Sequence, residues 1–244
     1  MMKLDKSIRV PGLPILLVIL SLAAWAQWDK KPYTEWSEKD AQRVLNDSPW
    51  GKTQVFSTPG EMFRSPTSGR QGTATRTEPN PAQALHVNFR VRFLSARPIR
   101  QAYSRLVELR QRGGMNEQAA NQLKQFVSGE FLEYVIIAVT CDSQEAGANT
   151  QQAMSLLNTR GTADLKNNTF LETKGGQRVF LQEFQPPHQD GIGARFIFPR
   201  LVDGKPFITP EAEEIHFVSE LSSNYKLDRR YKIKEMMFDG KLEY

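Results

Sequence analysis

The sequence predicts an α+β fold: a mainly antiparallel sheet, two to four helices packed on one face, and a short tethered helix at the front. Three observations point there. Residues 85–93, LHVNFRVRF, alternate apolar and polar side chains without a break, the period of a half-buried strand. Helical patterns and then a continuous apolar run, YVIIAVT at 134–140, come next. After Gly161 the apolar segments are short and strand-like, so strands succeed helices instead of alternating with them.

Lys3, Lys6 and Arg9 precede an apolar run from Leu13 to Leu22, followed by Ala24-Trp25-Ala26. A basic start, an apolar middle and small residues where signal peptidase reads are the three parts of a secretory signal, residues 1–26. The apolar stretch from Leu13 to Ala26 is 14 residues, short of the roughly 20 that a membrane-spanning helix needs. Cleavage after Ala26 leaves 218 residues and lowers the net charge from +5 to +3. That excess is too mild to mark a nucleic-acid binder, and a mean hydropathy of −0.50 excludes a multi-span membrane protein. Cys141 is the sole cysteine, so no intramolecular disulfide exists and none stands ready for a lipid anchor at the cleavage point. Export without disulfides fits a bacterial envelope, periplasmic or secreted.

Residues 27–58 read as a docking helix and a short strand. Ser37 and Asp40 have capping-box spacing, with Trp36 and Ala41 placed as a hydrophobic staple. Ala41, Val44 and Leu45 make one stripe, and Pro49 ends the helix. A helix this short does not hold alone in water, so it docks, with Trp28, Trp36 and Trp50 as aromatic docking residues. Thr53 to Ser57 supplies the strand. Residues 59–83 are rich in proline, glycine, serine and threonine and read as a flexible linker. The single α+β domain then runs over 84–244. Pro98 opens a helix with Ile99, Ala102, Tyr103, Leu106 and Leu109 on one face. Gly113-Gly114 stops it, a second helix covers 117–127, and a third lies near 150–158. Strands are expected at 169–173, 178–184, 195–198, 215–221 and 231–237, with a hairpin turn at 174–177.

Three patches carry a resemblance: Trp-Ser-x-x-Asp-Ala…Ser-Pro-Trp at 36–50, Arg-Phe-Leu-Ser-Ala-Arg-Pro-Ile-Arg-Gln-Ala at 92–102, and Asp-Gly-Lys-Leu-Glu at 239–243. The chain resembles uncharacterised exported bacterial proteins of acidobacterial type. The resemblance implies export and assigns no activity.

Catalytic signatures are missing: no G-x-S-x-G, H-E-x-x-H, Walker A or G-x-G-x-x-G. No cofactor motif is present. His86, His188 and His216 lack metal-ligand spacing, and Glu213, Glu214 and His216 read as a polar loop entering a strand. Cys141, at the end of a buried strand and before a helix, has the position of a nucleophile, but a lone cysteine there also reads as a small buried apolar residue. The tryptophans, too, have a second reading, as a stacking platform for sugars or peptides.

Charge singles out the start of the body. Residues 85–130 hold eight basic and three acidic residues. Arg90 and Arg92 lie on the polar side of the first strand, and Arg97 and Arg100 at a helix N-terminus, where cations cost roughly 0.3–1 kcal/mol each. Compensation comes from an internal acid such as Glu183 or Glu220, from solvation, or from an external anion held by the arginine forks. Two functional readings result: a non-enzymatic binding or scaffolding module of the envelope, meeting a protein partner or an acidic ligand, and an exported hydrolase or thiol enzyme using Cys141. For export the check is an intact mass from the envelope fraction. It is expected to start at Gln27, and a full-length mass would refute cleavage.

Overall fold

The computed structural model describes residues 31–58, 85–111, 113–142 and 148–244. The signal segment, Trp28 and the expected linker at 59–83 lie outside the described residues. The architecture is α+β and mostly antiparallel.

The alternating segment forms β2 (Leu85–Phe93), with Val87, Phe89, Val91 and Phe93 all buried on one face. It pairs antiparallel with β1 (Gly51–Thr58) and with β3 (Tyr134–Asp142), the apolar run. β3 pairs onward with β7 (Ala194–Pro199), and β7 with β6 (Glu183–Gln185), completing a sheet of order β1-β2-β3-β7-β6. Facing it is a second sheet of order β11-β10-β4-β5, built from β4 (Thr169–Thr173), β5 (Arg178–Phe180), β10 (Glu214–Ser222) and β11 (Tyr225–Lys232). Rings fill the space between. Phe93 meets Tyr231 edge-on at 4.8 Å, Phe196 meets Phe217 at 5.5 Å, and Phe89 lies 5.5 Å from Tyr225. Such edge-to-face pairs add about 0.5–1.5 kcal/mol beyond the area they bury.

Both seams between the sheets are bridged. On one side the chain from 178 to 185 changes sheets. Leu181 N–H donates to Thr169 of the second sheet at 3.0 Å, and Gln182 N–H to Ile197 of the first at 2.9 Å. On the other side Gln54 of β1 donates its amide to Lys226 C=O and accepts from Asp228 N–H, both at 2.8 Å. One side-chain amide thus reproduces the donor and acceptor of a strand peptide, and it shields two edges that exposed would invite foreign strands. Tyr231 Oη donates to Val91 C=O at 3.0 Å across the same seam.

Helices α1 (Glu38–Asn46), α2 (Arg97–Arg110) and α3 (Glu117–Ser128) pack in sequence, with α1 also against β1 and β2. The capping box is formed: Ser37 Oγ accepts from Asp40 N–H at 3.2 Å, and the Asp40 carboxylate accepts from Ser37 N–H at 3.0 Å. Asn116 caps α3, and Gly129 closes it. α4 (Ala148–Thr159) lies across β2, β3 and β10, so it touches both sheets, and α5 (Thr162–Leu165) is a single turn. Two small hairpins complete the chain, β8 (Leu201–Val202) with β9 (Lys205–Pro206), and β12 (Met237–Phe238) with β13 (Lys241–Leu242).

Several expectations need correction. The strand placed at 231–237 is instead β11, and Ile233–Glu235 is a 3₁₀ turn. In YKLDRRYK the apolar positions are too sparse to announce a strand, yet Tyr225, Leu227 and Tyr231 face the core while Lys226, Asp228 and Arg230 face out. The strand expected at 178–184 is broken at the sheet change. Leu109 is 40% exposed and does not belong to the buried face of α2. Nor do residues 31–58 form a separate docked unit: β1 is hydrogen-bonded along β2, and Trp36, Val44 and Leu45 belong to the same core as the sheets.

The join of α1 to β1 is tight. A Cβ on Gly51 would overlap the Leu45 carbonyl and come within 2.9 Å of Val44 O, all of it backbone. Gly51→Ala is therefore expected to destabilise by about 1–3 kcal/mol or more, read as a lower midpoint in urea. An unchanged midpoint would mean this junction is slack.

Candidate functional site

The site grows from two buried arginines. Arg92 projects from the side of β2 opposite the ring core and is only 4% exposed, because α1 and α2 cover that face. Its Nε donates to Leu45 C=O at 2.9 Å and one Nη to the Asn46 side chain at 2.8 Å; the other reaches Tyr103 Oη at 2.7 Å and Thr140 Oγ1 at 3.1 Å. No carboxylate ion-pairs with it among the described residues. Its counter-charge is the carbonyl end of α1, where a helix dipole is negative. Burial pulls its pKa down, yet the guanidinium stays charged.

Arg100 repeats the arrangement on α3. At 3% exposure it donates to Ser95 C=O, to Val127 C=O at 3.3 Å and to Gly129 C=O at 2.8 Å, the last two at the end of α3. Its guanidinium also lies 4.9 Å from the Phe131 ring. Neither arginine presents a free face to a macromolecular partner. Arg90 is half-buried and paired with Asp142 at 2.8 Å.

Arg97 answers the question of compensation. The N-cap of α2 is Ala96, which offers no side-chain acceptor. The Glu243 carboxylate fills that role, accepting from Arg97 N–H at 3.0 Å and lying 3.4 Å from Arg97 Nε, while Asp239 pairs with Arg97 Nη2 at 3.0 Å. The acids expected there, Glu183 and Glu220, sit elsewhere, on β6 and on β10. The segment carrying Glu243 is held by Trp50, whose Nε1–H donates to Glu243 C=O at 2.8 Å and whose ring meets Phe238 at 6.0 Å. Arg97 lies over the same ring, 5.1 Å from the Phe238 centroid.

Next to this clasp is a cavity of about 380 Å³. Arg97, Arg100, Arg200 and Lys241 line it, together with Glu130, Glu243 and an apolar wall of Phe131, Leu132 and Leu242. Arg200 donates to the Tyr244 main-chain oxygen at 2.8 Å and lies 3.8 Å from the Tyr244 ring centroid. Two of these cations, Arg200 and Lys241, are far from Arg97 in sequence, so no charge count of one segment could have found them. The segments 36–50, 92–102 and 239–243 come together around Trp50, Arg97 and Glu243.

Other candidates give less. Trp36 and Trp50 are each 1% exposed, so neither offers a face for stacking a sugar. Cys141 is half-buried against the core, its thiol pushed up to about 12 by burial and by Asp142; no histidine is hydrogen-bonded to it among the described residues. His86 pairs with Ser57 at 2.9 Å, without a third member among the described residues. Glu213 lies just before β10, which carries Glu214 and His216. His216 contacts Asp228 and lies 3.7 Å from Glu172, whereas Glu213 pairs with Lys174 and Glu214 with Arg230. Among the described residues no three His, Cys, Asp or Glu side chains are placed to hold a metal, and no helix is long and apolar enough to cross a membrane.

No family model, curated protein or solved structure matches the chain.

Removing the carboxylate that caps α2 isolates its contribution. Glu243→Ala is expected to lower stability by about 0.5–2 kcal/mol, and Glu243→Gln, which keeps an acceptor oxygen, by less. Equal unfolding midpoints for both variants and the native protein would show that the helix end is satisfied otherwise.

Proposed function

We propose that the protein is an exported, non-enzymatic binding module of the bacterial cell envelope, and that its ligand enters the cavity beside the C-terminal hairpin. One observation carries this reading: four cations from three separated segments line a single cavity together with Phe131, Leu132 and Leu242. Such a mixture of convergent polar groups and apolar wall is how small-molecule sites are built. Reaction chemistry would need an activated nucleophile with a base beside it. The thiol of Cys141 is held in the opposite state, since burial favours its neutral form.

Thermal unfolding tests the proposal. The low-molecular-mass fraction of an envelope extract is expected to raise the Tm of the intact protein, and Arg200→Ala to abolish the rise. Cys141 is expected to react with a maleimide far more slowly in the folded protein than in urea. Rapid native labelling, coupled to loss of a hydrolytic activity in Cys141→Ser, would transfer the function to the thiol.

A further inference from the structure

The two short hairpins share one pattern. Leu201-Val202-Asp203-Gly204-Lys205-Pro206 and Met237-Phe238-Asp239-Gly240-Lys241-Leu242 each place two apolar residues before Asp-Gly-Lys, with the same register across the turn. Asp203 and Asp239 have φ of 50° and 48°, each followed by a glycine at 73° or 74°, the two left-handed positions that a type I′ turn needs. Among the described residues no other side-chain-bearing residue has positive φ. One hairpin is docked and the other is not. In β12–β13, Asp239 pairs with Arg97 at 3.0 Å, and the guanidinium lies 5.1 Å from the Phe238 centroid. In β8–β9, Asp203 has no hydrogen bond or ion pair among the described residues, and Leu201 and Val202 are 46% and 41% exposed. Arg200 N–H donates to Glu133 C=O at 2.8 Å, which brings Leu132, itself 69% exposed, alongside β8.

We infer that β8–β9 is the docking hairpin of a self-association contact, and that it seats on the last turn of α2 in a second copy of this chain. Its docked counterpart shows what such a hairpin takes: an arginine for the turn aspartate, and apolar surface for the residues before it. The same chain offers that combination once more. Arg110, in the last turn of α2, is exposed and has no hydrogen bond or ion pair among the described residues. The other exposed arginines there are paired, Arg178 with Glu172 and Arg230 with Glu214. Val107 and Leu109, beside Arg110, are exposed as well, at 37% and 40%. An unpaired aspartate on one apolar patch and an unpaired arginine on another are complementary in charge, and charge-rimmed apolar surface marks interaction sites. The two patches lie on different parts of the chain, so the contact is heterologous. Each copy offers its hairpin to the next and its α2 end to the one before, which gives a ring or an open chain. With few apolar residues on each side, the contact belongs to the small, transient class. It does not rest on the binding-module reading.

Sedimentation velocity of the intact protein from about 1 µM to about 1 mM tests the contact. The weight-average mass is expected to rise with concentration and to pass that of a dimer at the top of the range. Asp203→Lys and Arg110→Glu are each expected to weaken association at least about tenfold, since like charges then face each other. Asp203→Asn keeps a side chain that tolerates the turn and is expected to weaken it by less. Mixing the two charge-reversed variants separates a docking role from a structural one. One retains the native α2 end and the other the native hairpin, so an equimolar mixture is expected to regain association that neither shows alone, even if the reversed turn is distorted. Lys226→Ala, on the outer face of β11, is expected to change nothing. A constant monomer mass over the whole range would overturn the inference. So would association that responds to Asp203 but not to Arg110, or a mixture no stronger than its components.

Discussion

A single guanidinium organises the helical side of this protein. Arg92 grips the Leu45 carbonyl and the Asn46 side chain at the end of α1, and the hydroxyls of Tyr103 on α2 and Thr140 on β3, all from one side chain on β2. A buried cation is tolerated only if its donors are met and its charge opposed. Here carbonyl dipoles at a helix end do what a carboxylate does elsewhere. The consequence is geometric: α1 cannot slide without exposing a charge to apolar surroundings, so the tight turn from Leu45 to Gly51 is pinned, and with it Trp50.

From Trp50 the constraint passes to the far end of the chain. Its indole N–H holds the Glu243 backbone, and the Glu243 carboxylate caps α2. Arg100, one turn into α2, then fastens the end of α3 by the same device that Arg92 uses on α1. The arginine-rich stretch is thus largely consumed in holding helices to sheet and to one another. Beside these contacts lies a cavity lined by Arg97, Arg100, Arg200 and Lys241.

Between the sheets the logic is different. Stacked rings fill the interior, and the seams are closed by a strand that changes sheets and by the amide of Gln54. Apolar packing brings the sheets together without directional demands, whereas seam closure depends on individual hydrogen bonds. The cavity lined by Arg97 and Arg100 falls outside this ring core, on the helical side.

Local order was legible in the sequence. Alternation in 85–93, the capping box at Ser37 and Asp40, and the hydrophobic run at 134–140 are decided by neighbours a few residues apart, and those elements appear at the expected places. The charge imbalance of 85–130 was legible too, as was the need for a counter-charge. Tertiary structure alone decided how that need is met. The carbonyls of Leu45, Val127 and Gly129 carry no sequence signature, since every residue has one. Glu243 lies well over a hundred residues from the helix it caps, and β11 owes its strand to pairing with β10 more than to its own charged residues. Periodicity records which face of an element is buried; it does not record what waits on the other side of the burial.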